Sequence, residues 1–150
     1  MVKIANKLSK SDQLNVTSLL SECLDIYKDF YITKNNLRLF IKDNLDLFFK
    51  DLTKGDKILF NENGILVICG FSDESPRKYI KILTKENNLQ VANVLIQHAI
   101  GNFNNIDLFI KIKKVNPVLQ ILYNNGFIWQ GSRGVEVLLV KKAEKINVKS

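Results

Sequence analysis

The sequence predicts an α/β (α+β) protein: a mixed, twisted sheet of about seven strands with helices on both faces, in the order β-α-α-β-β-β-α-β-α-β-β. Three observations carry this reading. Apolar residues recur at helical spacing in four segments, and short apolar or alternating runs lie between them. Residues 57–71 read as strand, polar turn and strand. Near the C-terminus, Asn116-Pro117 opens a short amphipathic helix, Gly126 ends it, and a second hairpin follows.

Taken in order, residues 2–8 alternate loosely through Val2, Ile4 and Leu8 and suit a first strand. Residues 9–12 start a helix capped by Ser11 or Asp12, whose side-chain oxygen accepts from an otherwise unpaired N–H. Leu14, Val16, Leu19, Leu20, Cys23, Leu24 and Ile26 make its apolar face. A second helix begins at Thr33, with Leu37, Phe40, Ile41, Leu45, Leu47 and Phe48 inward; residues 27–32 belong to the first helix or to the connection. From Asp56 the period becomes that of strands. Residues 65–71 are apolar on both faces, as a central strand requires. A polar loop, 72–77, leads to a strand over 78–84 and a helix over 88–99, with Leu89, Ala92, Val94, Leu95, Ile96 and Ala99 apolar. Ile106, Leu108, Ile110 and Ile112 share one face of the next strand. Asn116 caps the following helix with Pro117 at its first position, where a missing N–H is harmless. Val118, Leu119, Ile121 and Leu122 form its apolar face, and Gly126 stops it in a left-handed conformation. Phe127, Ile128 and Trp129 open a strand, 131–134 turn, and 135–140 return.

The 150 residues suit a single domain over 1–142 followed by a short basic tail, 143–150. A chain of this length buries a core without disulfides or a metal. Cys23 and Cys69 lack a CxxC spacing and read as buried free thiols, and with one histidine they assemble no metal cluster. No leader-like segment and no run near the roughly 20 apolar residues of a membrane span is found. A cytoplasmic protein that meets no membrane is expected. The net charge of +7 favours anionic partners. That charge is scattered, and the aromatics fall at core positions, so nucleic acid is not the implied partner.

The helix from Asn116, its stop at Gly126-Phe127 and the closing hairpin resemble the C-terminal end of the GNAT superfamily of N-acetyltransferases. The whole element order is similar to that family's. The resemblance implies a divergent member with acetyl-CoA as substrate-like cofactor, held where the fourth and fifth strands separate. It places the pyrophosphate on backbone N–H groups at the N-terminus of the next helix, where unpaired donors and the helix dipole favour an anion. The family's loop, Arg/Gln-x-x-Gly-x-Gly/Ala, aligns on Asn87-Asn88-Leu89-Gln90-Val91-Ala92. Ala92 fits the pattern, while Asn87 and Gln90 depart from it. The implied cofactor-binding residues are Leu83, Thr84, Asn87, Asn88, Gln90, Val91, Ala92 and Asn116; Asn87 is a candidate cap and Lys85 a candidate phosphate contact.

By the same resemblance, Tyr123, seven residues after Asn116, matches the tyrosine that protonates the departing thiolate. Two residues separate it from Gly126 where the family has three, so a register counted from the glycine puts Leu122 in that place. Asp73, Glu74, Asp107 and His98 are candidates for a base, none marked by spacing. Two functions stay open. One is an acyltransferase moving an acyl group from acetyl-CoA to an unidentified amine. The other is a catalytically inactive GNAT-like structural or binding protein. The latter would act through a protein partner or homo-oligomer, for example as a bacteriophage virion or accessory component within the viral particle.

Overall fold

A computed structural model describes residues 2–5, 9–22, 57–69 and 77–144 of the chain. The expected second helix, Cys23, Asp73 and Glu74 lie outside the described residues. The elements are β1 (Lys3–Ala5), α1 (Lys10–Glu22), β2 (Lys57–Asn61), β3 (Gly64–Cys69), β4 (Arg77–Thr84), a 3₁₀ turn (Lys85–Asn87), α2 (Leu89–Asn102), β5 (Asp107–Lys113), α3 (Val118–Asn124), β6 (Ile128–Arg133) and β7 (Glu136–Lys141). The strands form one seven-stranded sheet in the order β1-β2-β3-β4-β5-β7-β6. Every neighbouring pair is antiparallel except β4 and β5, which run parallel.

Strand alternation divides the side chains between two faces. Leu66, Ile68, Ile80, Ile82, Leu108, Ile110 and Ile112 pack on Ala92, Leu95, Ile96 and Ala99 of α2 and on Val118 and Leu122 of α3. That layer is the main core. A close approach occurs at Gly64, where an added Cβ would lie 2.7 Å from Val91 Cγ1 and 3.0 Å from both Leu95 Cδ1 and Thr84 Cγ2. A glycine here lets the first turns of α2 sit directly on the end of the β2–β3 hairpin. α2 and α3 are also joined by a polar link: Asn125 Nδ2 donates to Asn93 Oδ1 at 2.9 Å and to the Ile121 carbonyl at 2.8 Å.

The C-terminal unit matches its expected local chemistry. Asn116 Oδ1 accepts from the Val118 N–H at 2.9 Å, and Pro117 is already helical at φ −64°. Gly126 sits at φ +90°, with the Phe127 N–H reaching back to the Leu122 carbonyl, a Schellman closure.

Four local expectations need correction. α1 is capped by Ser9, whose Oγ accepts from the Asp12 N–H at 3.1 Å; Asp12 thereby falls in the first turn, by the positive end of the dipole. Leu14 is 71% exposed although Leu19 is buried, because five residues at about 100° each place them roughly 140° apart around the helix. The expected first strand is present at Lys3–Ala5, where Ile4 pairs with Leu59 of β2, and its remaining positions 6–8 lie outside the described residues. β6 runs to Arg133, and the turn contracts to Gly134-Val135 with Gly134 at φ +59°. Because β6 is the outermost strand, Trp129 is 57% exposed and is not a core aromatic.

Candidate functional site

The sheet divides between its two parallel strands. β4 and β5 pair at Arg77–Asp107, Lys78–Leu108 and Tyr79–Phe109 and then part. Beyond that branch, among the described residues, Ile80 to Thr84 pair with β3 alone, and Ile110 to Lys113 pair with β7 alone. At about 3.3 Å per residue the open edge of β4 is roughly 16 Å long. Its backbone N–H and C=O groups on that side face a gap instead of a strand. Such an edge can take a ligand that itself carries amides. Tyr79 and Phe109 close the bottom of the gap, their ring centroids 5.5 Å apart.

α2 begins just past the open end of β4. The backbone turns through Lys85–Asn87, with Glu86 in the left-handed region at φ 54°, ψ 25°, a conformation that carries strain outside glycine. Asn88, not Asn87, is the cap. Its Oδ1 accepts from the N–H of Gln90 at 3.1 Å and of Val91 at 3.2 Å. Asn88 wins because it is the residue adjoining the first helical turn, and in extended backbone its carboxamide reaches the second and third N–H groups. Leu83, Thr84 and Ala92 are buried, so only their backbone is available to a ligand, while Asn88 and Gln90 are exposed and Val91 packs over Gly64. Lys85 lines a cleft of about 440 Å³ between α1 and the β2–β3 hairpin, with Lys3, Asp12 and Glu62 among its neighbours. That cleft adjoins the edge of β4 paired with β3, across the strand from the split.

Asn116 lies between β5 and α3, on the same side of the sheet as α2. It is 2% exposed, its oxygen is used by the cap, and among the described residues its Nδ2 has no hydrogen-bond partner. A buried donor left unpaired is unfavourable by about 1–3 kcal/mol, so an acceptor brought to it would be bound favourably. The turn of the β6–β7 hairpin adjoins it through the Lys114 N–H, which donates to the Val135 carbonyl at 2.8 Å. Tyr123, in the last turn of α3, is 40% exposed, while Leu122 points fully into the core and offers nothing to solvent. The Asn93–Asn125 link holds this end of α3 against the N-terminal half of α2.

Of the candidate bases, the two among the described residues, Asp107 and His98, fall elsewhere. Asp107 Oδ1 accepts from the Ala143 N–H at 2.8 Å, and its Oδ2 lies 3.6 Å from Lys142 Nζ, so it fastens the chain beyond β7. His98 is exposed on α2. Sequence reasoning met Lys81 only as a cation where a carboxylate was sought and passed over Lys111; both are exposed residues beyond the branch, on β4 and β5. Their signal was the lysine set between isoleucines in both Ile80-Lys81-Ile82 and Ile110-Lys111-Ile112, which becomes meaningful once the two strands are neighbours. Among the described residues no group of three or more His, Cys, Asp or Glu could hold a metal ion, and no helix is long and apolar enough to cross a membrane.

No protein-family model and no curated protein matches this sequence. Solved structures do. The chain is similar to the paiA N-acetyltransferase from Thermoplasma acidophilum in complex with coenzyme A, at 14% identity and TM-score 0.71, covering 95% of this chain and 99% of that one. It is also similar to a putative phosphinothricin N-acetyltransferase, at 14% identity and TM-score 0.70, with 97% and 100% covered. A third is the acetyltransferase of GNAT family from Streptococcus pneumoniae, at 16% identity and TM-score 0.62, with 94% and 98% covered.

Proposed function

We propose, from the premise that this chain has the GNAT fold, that it is an acetyl-CoA-dependent N-acyltransferase whose cofactor lies in the split between β4 and β5. The observation that carries this reading is the paired open edges of Ile80 to Thr84 and Ile110 to Lys113, beside the N-terminus of α2. The amides of the cofactor's arm extend β4 as an added strand, and the pyrophosphate meets the first N–H groups of α2. Asn116 Nδ2 supplies a donor that has no partner among the described residues. The bound amine attacks the thioester carbon; a C–N bond forms and the C–S bond breaks. The amine's surplus proton passes to solvent, and the departing thiolate takes the proton of the Tyr123 hydroxyl. Holding the two reactants in line is the main contribution of the protein.

The Asn88 cap favours a second reading, a binding module of this fold without catalysis, because it already occupies two N–H groups that a pyrophosphate would use. Isothermal titration with acetyl-CoA separates the two. Saturable one-to-one binding that coenzyme A competes away supports the acyltransferase; no heat at millimolar cofactor overturns it.

A further inference from the structure

We propose that the amine acceptor carries an anionic group, a carboxylate or a phosphate, seated on Lys81 and Lys111; this rests on the acyltransferase reading above. The split passes through the sheet and so has two mouths. One opens on the face packed by α2 and α3, where the N-terminus of α2 and Asn116 lie. A cofactor entering there leaves the opposite mouth to the amine. The residues on that opposite face are Tyr79, Lys81 and Leu83 of β4 and Phe109, Lys111 and Lys113 of β5, since Ile80, Ile82, Ile110 and Ile112 turn the other way into the core.

Immediately beyond the last paired residues, Tyr79 and Phe109, this face presents one lysine on each strand. Both Lys81 and Lys111 are exposed, and among the described residues neither makes an ion pair. Lys111 reaches back across the branch, its Nζ 5.9 Å from the centre of the Tyr79 ring. Farther along β5, Lys113 lies opposite Glu136 in the β5–β7 register. Asp107, the acidic residue at the start of β5, is held by Ala143 and Lys142. Two ammonium groups flanking a narrow opening, without a counter-ion among the described residues, raise the local concentration of anions and bind them by charge-assisted hydrogen bonds. An acceptor whose anion sits on these lysines has its amine aimed into the gap over the aromatic pair, where the thioester carbon would lie.

The test pairs amines that differ in charge alone: 4-aminobutyrate against 4-aminobutanamide, and phosphoethanolamine against ethanolamine. Thiol release from acetyl-CoA is measured for each, with acetyl-CoA binding to the same protein measured by titration. The expected result is about a tenfold higher kcat/KM for the anionic member of at least one pair, from two partly exposed cations acting together. The preference shrinks in high salt and falls to near parity in the K81Q/K111Q variant. Which pair responds tells a carboxylate from a phosphate. Acetyl-CoA binding with equal rates within both pairs, or with no turnover of any of the four amines, overturns this inference alone. Absence of acetyl-CoA binding overturns the reading beneath it.

Discussion

Two asparagines show how one side chain type serves different ends. Asn88 is exposed and spends its oxygen on the N–H groups of Gln90 and Val91; Asn116 is buried and keeps a donor that has no partner among the described residues. In Asn88→Gly the cap is lost at a few tenths of a kcal/mol, because glycine is itself tolerated there, and both N–H groups become open to a phosphate. Acetyl-CoA should then bind severalfold more tightly by titration; weaker binding would make the Asn88 carboxamide itself a phosphate ligand. Asn116→Ser retains an oxygen for the Val118 N–H, so stability should change by less than about 1 kcal/mol in urea unfolding. Acetyl transfer should drop about tenfold. Tyr123→Phe removes only a half-exposed hydroxyl. It should leave the melting temperature in place and lower kcat by about 100-fold with KM unchanged, if the phenol is the acid.

At the scale of elements, what was legible in the sequence follows the range of the interaction. Asn116, Pro117 and Gly126 signal a helix start and stop through bonds to residues within a few positions, and the structure has those bonds. The caps of α1 and α2 were each misplaced because neighbouring Ser, Asp and Asn residues compete for the same N–H groups, and backbone geometry alone decides between them. Gly64 gave a turn signal, whereas its larger role is set by Val91 and Leu95, brought close by the fold. Gly64→Ala should therefore destabilise the protein by about 1–3 kcal/mol in urea unfolding and disturb the start of α2. A change below about 0.5 kcal/mol would mean that α2 shifts freely over the hairpin.

On the scale of the whole molecule, the split arises from pairing order. A parallel neighbour for β4 must cross over through α2, and β5 takes β7 as its other partner. With only the first part of β4 and β5 in register, the sheet opens where α2, α3 and the two lysines converge. Periodicity indicates that strands exist; it carries no information on where two strands 30 residues apart stop pairing, so neither the length of the opening nor the Lys81–Lys111 juxtaposition could be read from it. The most direct measurement of the central claim is an amide NMR titration of the full chain with acetyl-CoA. The account predicts saturable shifts concentrated at Ile80 to Thr84, at the Gln90 and Val91 amides and at the Asn116 side-chain NH₂. Saturation with acetyl-CoA that leaves these signals unmoved would contradict it.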